Sequence, residues 1–459
     1  MYRSRAMLAI CAALILCMTQ ILAAPAAAFS ILRDAETEAF LREIGEPLMK
    51  AAKLDPDSVH IMLVNDPEIN AFAGGGQNVF FNSGLLIRAD DLLELQGVMA
   101  HELGHVAAGH NVRFGEGAGP ATNISLLSLA LAGALMAMGG ADAGMAVMMA
   151  GQQAATGKFL AFTRDQESRT DQAGAQFLQG AGVDGSGMIE FFRKLQGDEY
   201  RLAIKQDNAY NRTHPLNRER IAALEDVVER SPWYGKGADP ALQARYQRIR
   251  GKLIGYLSDP NDTMRAYPES DTSEAARYAR AYAWHKSAHQ EKALAEVEAM
   301  LQRLPKDPYV LELKGQILLE SGRVGDAIAP LRQATALAGG EPLIASMLGH
   351  ALVQQGERDG DQEKFAEAET VLRRALAKDR DNPFAWLQLG TIYERQGDTP
   401  RAALATAERL QLTRGDPRAV LRSAQIAGNG LPKNTPEWLR AQDIALIAHD
   451  QAQQMKKRR

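Results

Sequence analysis

The sequence predicts an α+β domain, mostly helical with a small sheet, followed by an all-α solenoid of paired helices. Three observations lead there. Helical and strand-like apolar spacings alternate up to about residue 110, a linker region with helical patterns follows, and a glycine and proline pattern then recurs at a 34-residue step. With 459 residues, 46% of them hydrophobic, the chain can fill more than one core. A net charge of -4 with 24% charged residues lacks the basic footprint of a nucleic-acid binder, and that class is set aside.

Residues 1–28 read as a secretory signal. Arg3 and Arg5 precede an apolar stretch from Ala6 to Ala24, and Ala26-Ala27-Ala28 supplies small residues for cleavage. An uncleaved N-terminal anchor is the alternative. Both cysteines, Cys11 and Cys17, lie in this segment, and neither has the small preceding residue of a lipidated cysteine. Processing would leave a cysteine-free chain from Phe29, its charge moved from -4 to -6 by the loss of two arginines. Any metal must then be held by histidine and carboxylate, and the expected compartment is the periplasm.

Residues 30 to 55 are expected as an amphipathic helix, with Phe40, Leu41, Ile44, Leu48 and Met49 on one face. His60–Val64 reads as a strand and Asn65-Asp66-Pro67 as a turn. Asn70–Ala73 then leads through Gly74-Gly75-Gly76 into Val79-Phe80-Phe81. The stretch 70–81 is expected to form an edge strand at a cleft, where Asn70, Phe72, Gly75 and Gly76 would meet an extended polypeptide. A plain hairpin is the competing reading. Asp90 and Asp91 are candidate caps for a helix running to about Gly109.

Between Glu116 and Lys158 the single charge is Asp142, and Ile124–Met138 is rich in Ala, Leu and Met. The run breaks at Gly139-Gly140 after about 15 residues, short of the roughly 20 needed for a span. Buried or partly mobile helices beside the site are expected here. The alternatives are peripheral membrane contact through 124–150 and a span over 124–141.

A helical pattern near Arg220–Arg230 leads into a helical linker over 231–271, which carries a further helical pattern at Pro240–Leu257. Beyond it Gly315, Gly349 and Gly390 are each followed seven residues later by Gly322, Gly356 and Gly397. Pro308, Pro342, Pro383 and Pro417 mark the same boundary at steps of 34, 41 and 34. A 34-residue period of helix pairs is the tetratricopeptide signature, and the longer step adds seven residues around Asp359–Phe365. Ala327, Ala368 and Ala402 or Ala403 fall on the second helix of their units. The repeats are assigned to 272–459, with a degenerate first unit over 274–307 and a capping pair from 418. The basic residues 456–459 are read as a solvated tail.

His101-Glu102-Leu103-Gly104-His105 places two imidazoles about one helical turn apart on one face, where both nitrogens reach one zinc ion. Glu102 beside them is placed to take a proton from an attacking water and return it to the leaving amine. His110 is expected to point away from this face and is assigned to the helix end. A third ligand is required, and Glu167 is the candidate, with Asp171 four residues on to accept from a ligand imidazole. By spacing alone any downstream acid serves.

Taken together, His101-Glu102-x-x-His105, Glu167 within Arg-Asp-x-Glu-x-x-x-Asp, and Thr213-His214-Pro215 with Arg220-Ile221 resemble the M48 family of zinc metallopeptidases, over 30 to about 225. Thr170 departs from the family's usual alanine. The resemblance implies a zincin-like metallopeptidase domain over 29–230 with one Zn2+ held by His101, His105 and Glu167. It makes Glu102 the general base and Asp171 a support for the ligands. It also implies that His214 can occupy the open zinc position and hold the enzyme latent. A structural residue before Pro215 or a transition-state donor are the other readings of His214. Joined to a signal segment and tetratricopeptide repeats, the resemblance implies an exported endopeptidase in assembly or quality control of outer-membrane and envelope proteins. Its partners would be unfolded or stalled clients docked on the repeats, and the outer-membrane assembly machinery. The rivals are a chaperone-like assembly factor with secondary proteolysis and an integral membrane peptidase.

Overall fold

Ser30 to Leu32 run extended before the first helix can start, because their backbone pairs with the next strand. Ile31 and Leu32 (β1, Ile31–Leu32) lie opposite Val64 and Leu63 of β2 (His60–Val64), so the expected helix begins only at α1 (Ala35–Ala51). Asp34 caps it by accepting from the Thr37 amide. The computed structural model describes residues 30–110, 122–132, 141–202, 210, 213–216 and 218–457. The signal segment 1–28, residues 133–140 of the apolar run and the last two tail residues lie outside the described residues.

β3 (Ala71–Gly74) and β4 (Asn78–Asn82) complete a four-stranded sheet of order β1-β2-β4-β3, in which β2 and β4 are parallel and the other neighbours antiparallel. β3 is therefore an edge. Gly75 and Gly76 have φ of +53° and +92° and form the turn between β3 and β4, so the hairpin itself asks for glycine there. The expected apolar face of α1 is buried against the sheet and against α3 (Leu92–Ala108). α2 (Ser83–Arg88) precedes α3. Asp91 caps α3 by accepting from Glu94, whereas Asp90 instead pairs with Lys194 at 2.6 Å.

Helix α3 is buried nearly throughout, because α5 (Ala141–Gly180) and α6 (Ser186–Leu202) pack on the faces the sheet leaves open. A helical segment over 122–132 (α4) corrects the expectation of burial. Leu126, Leu127, Leu129 and Leu131 are more than half exposed, while Ser128 and Ala132 are buried and Ser128 seats against Gly151 of α5. Two packed helices offer each other one face, and among the described residues nothing covers the outer one. No described helix is long and apolar enough to cross a membrane.

α7 (Arg218–Val228), α8 (Pro240–Leu257) and α9 (Pro260–Ala266) lead to five antiparallel pairs. These are α10 (Glu274–Lys286) with α11 (Gln290–Arg303), α12 (Pro308–Glu320) with α13 (Val324–Leu337), and α14 (Pro342–Asp359) with α15 (Gln362–Lys378). α16 (Pro383–Gln396) with α17 (Thr399–Leu412) and α18 (Pro417–Gly430) with α19 (Pro436–Lys457) follow. Each recurring proline opens a first helix behind a capping side chain, from Asp307, Glu341, Asn382 or Asp416, where its missing N–H is harmless. Ala327, Ala368 and Ala402 are buried on the second helices. The longer repeat is absorbed by helix extension: α14 has 18 residues against 13 in α12, and α15 has 17 against 14 in α13. Gly356 thus lies inside α14, and the left-handed stop moves to Gly360.

Buried charges tie the repeats to the first domain. Arg248 on α8 donates to Glu36 of α1 and to Asp307, the cap of α12, at 2.7 Å, while Lys252 pairs with Asp34. Arg248→Ala removes the guanidinium that Glu36 and Asp307 share, leaving Glu36 with Lys252 at 3.5 Å, and is expected to cost about 3 kcal/mol. Urea unfolding of the full chain checks this; an unchanged midpoint would contradict the network's role.

Candidate active site

Three elements bring the candidate residues to one point. His101 and His105 project from α3, Glu167 from α5, and His214 from the stretch 213–216, all with side chains less than a tenth exposed. His101 Nε2 lies 3.2 Å from His105 Nε2, 3.2 Å from His214 Nδ1 and 3.3 Å from Glu167 Oε2. His105 Nε2 is 3.4 Å from Glu167 Oε1, and His214 Nδ1 is 3.2 Å from both Glu167 oxygens. A tetrahedral ion with ligand bonds of about 2.0–2.1 Å separates its donors by about 3.3–3.4 Å, close to what these atoms show. Among the described residues this His101, His105, Glu167 and His214 group can hold a metal ion.

The electrostatics agree. Burial opposes charge on His101, but hydrogen bonding to Asp171 and Glu167 pushes its pKa up to about 10. Burial likewise opposes ionisation of Glu167, yet the His214 charge and three imidazole contacts hold its carboxyl far below the usual range. His105 is lowered by burial, and the charge of His101 adds to that. Glu102, fully buried one residue after His101, has neither oxygen hydrogen-bonded, and His214 Nε2 lies 3.5 Å from Oε1.

Asp171 sits behind this group. His101 Nδ1 lies 3.0 Å from Asp171 Oδ1, which leaves Nε2 facing the cluster. Arg220 on α7 grips Asp171 through two bonds of 2.7 and 2.8 Å, reaches Glu167 Oε2 at 3.2 Å and donates to the Pro215 carbonyl at 2.7 Å. Tyr210, fully buried, lies against the His214 ring at 4.8 Å, and its carbonyl accepts from the His214 amide. Arg220 entered the sequence reading only as part of a motif, without a role, and Tyr210 not at all; each lies within six residues of His214, which was the available signal.

The polypeptide-binding candidates separate. Asn70 is beside the site, its side chain 3.4 Å from Thr213, and the Tyr210 amide donates to the Ile69 carbonyl. Phe72 stacks on Phe80 at 4.9 Å. Gly75 and Gly76 are at the far end of β3, in the turn.

His110 is the clear correction. Five residues along a straight helix would turn it about 140° from His105. Instead Gly109 adopts φ +65° and the chain bends back, bringing His110 Nδ1 to 2.9 Å from His105 Nδ1. Thr170, the departure from the family pattern, donates to the Gln166 carbonyl within its own helix and lies 3.5 Å from the same His110 nitrogen. If His105 Nε2 held a metal ion, its Nδ1 would carry the proton and His110 Nδ1, at 2.9 Å, would be placed to accept it. His110→Ala is expected to lower metal affinity tenfold to a hundredfold, with partial recovery in His110→Asn. Competition with a chelator measures it, and equal affinities would remove His110 from the site.

Residues 35–228 match the Peptidase family M48 model, and residues 286–342 and 347–419 match a tetratricopeptide repeat model. The chain is 26% identical to the beta-barrel assembly-enhancing protease of Escherichia coli (strain K12), over 82% of this chain and 76% of that one. Identity to the beta-barrel assembly-enhancing protease of Yersinia pestis is 28% over the same shares. A putative beta-barrel assembly-enhancing protease of Vibrio cholerae is 31% identical over 44% of this chain and 41% of its own. The match over 35–228 contains every member of the histidine and carboxylate group, and the chain is a metalloprotease with a peptidase family M48 domain followed by tetratricopeptide repeats.

Proposed function

We propose that the chain is a zinc-dependent endopeptidase exported to the periplasm, where it acts in assembly or quality control of outer-membrane and other envelope proteins. The convergence of His101, His105, Glu167 and His214 carries the catalytic part, and the printed names of the relatives support the setting. His101, His105 and Glu167 hold the ion, and Asp171 keeps His101 in the tautomer that leaves Nε2 free. Bound zinc supplies a Lewis acid for the scissile carbonyl and acidifies water. Glu102, buried and without a hydrogen-bond partner, takes the proton of the attacking water and passes it to the leaving amine. An extended client pairs with the outer edge of β3 near Asn70 and Phe72, while Gly75 and Gly76 serve the turn.

His214 holds the enzyme latent. Its Nδ1 is within 3.2 Å of His101 Nε2 and of both Glu167 oxygens, which is where a fourth ligand belongs. A latent site favours a second role, in which the chain holds unfolded or stalled clients on its repeats without cutting them. The exposed leucines of α4, with Met145 and Met149 on α5, support peripheral contact of these two helices with a membrane surface.

Two experiments test this reading. Glu102→Gln should keep stoichiometric zinc, abolish cleavage and trap clients in crosslinking from cells; a trap without envelope proteins would sink the proposed setting. His214→Ala should raise basal cleavage, self-cleavage included, at unchanged zinc content and thermal stability. Lower activity at unchanged zinc would make His214 a transition-state donor, and lower stability with unchanged specific activity would make it structural.

A further inference from the structure

A cavity of about 230 Å3 opens on the face that the first helices of the repeat pairs make together. Tyr278 and Tyr282 come from α10, Tyr309 and Glu312 from α12, Met347 from α14 and Phe384 from α16; no second helix contributes. Tyr256 on α8 and the entry to α1 close the remaining wall. The volume is below the roughly 300–1,000 Å3 of drug-sized sites, so it suits one side chain of a longer ligand.

The charges in the wall are unequal in their commitments. Lys252 is paired with Asp34 and, at 3.5 Å, with Glu36, while Arg33 is paired with Glu38 at 2.6 Å and Asp379 at 3.1 Å. Glu312 has no such partner: its Oε2 is buried and without a hydrogen bond. Burial pushes its carboxyl up to about 8, with Lys252 pulling the other way. A desolvated carboxylate without a donor is unfavourable, and a cation in the cavity removes that cost. The rings around it suit the same guest. Tyr278 donates to the Tyr309 carbonyl and Tyr282 to Gln316, which fixes both rings, and Lys252 Nζ already lies 5.5 Å over the Tyr278 ring.

We propose that this cavity binds one basic side chain of a client polypeptide lying along the solenoid, its charged end paired with Glu312 and its aliphatic stem among the tyrosines. The proposal rests on the docking role given to the repeats. It adds a chemical preference: clients are held by an anchoring lysine or arginine within an apolar stretch.

The test uses the full chain carrying Glu102→Gln, with N-acetyl-lysine amide and its uncharged analogue N-acetyl-norleucine amide as probes in calorimetric titrations. The lysine probe should bind at least about tenfold more tightly, and adding Glu312→Gln should bring the two within about twofold, a loss on the scale of a desolvated charge pair. Tyr256 is nearly half exposed, so Tyr256→Leu is a second variant that spares the core; it should weaken the lysine probe severalfold, whereas Tyr256→Phe should not. Equal binding of the two probes, no saturable binding of either, or a lysine preference that survives Glu312→Gln would each overturn the inference. A protein that traps clients but does not select the lysine probe overturns this inference alone. One that selects lysine but traps no client overturns the docking reading and leaves the cation site.

Discussion

Two carboxylates buried side by side set the conditions that everything around them meets. Glu167 and Asp171 stand one turn apart on α5, each nearly free of solvent, and neither charge persists there without cationic or donor partners. Asp171 is satisfied by His101 and by both arms of Arg220, and Glu167 by the imidazole cluster. Because Arg220 also holds the Pro215 carbonyl, neutralising Asp171 and placing His214 are the same structural event. Helices α3, α5 and α7 and the stretch 213–216 are thereby fixed relative to one another by charge rather than by apolar contact alone.

That dependence explains which parts of the site were legible. His101, Glu102 and His105 were readable because the period of a helix sets where residues four apart point. Glu167 was not readable from spacing, since an acid on a distant helix has no local signal; a family likeness singled it out, and the geometry places it within 3.4 Å of both histidines. His110 was misread because extrapolating a straight helix ignores a left-handed glycine, although Gly109 stood in the sequence as a helix-ending signal. Arg220 was quoted as part of a motif without a role, because its partner Asp171 is 49 residues away.

The solenoid was far more legible, for a local reason. Its prolines, glycines and alanines each answer a constraint within one helix pair: a helix start, a turn, or a close approach such as that of Gly349 to Leu372. The exposed leucines of α4 were misjudged because apolar composition does not say whether a neighbour exists to cover it. The junction of the two parts had no sequence signal either. Arg248 and Lys252 look like ordinary surface charges on α8 until α1 and α12 bring acids to them.

The stretch bearing His214 is moored at both ends. On one side Arg220 holds the Pro215 carbonyl; on the other the Tyr210 amide and the Thr213 hydroxyl lean on Ile69 and Asn70, where β3 begins. A polypeptide that pairs with that end of β3 competes for the second mooring. Under the proposed latency, its arrival and the withdrawal of the imidazole would draw on one set of hydrogen bonds, and by thermodynamic reciprocity each would favour the other. Such an arrangement would be a single-chain interlock, in which the cargo itself turns the key.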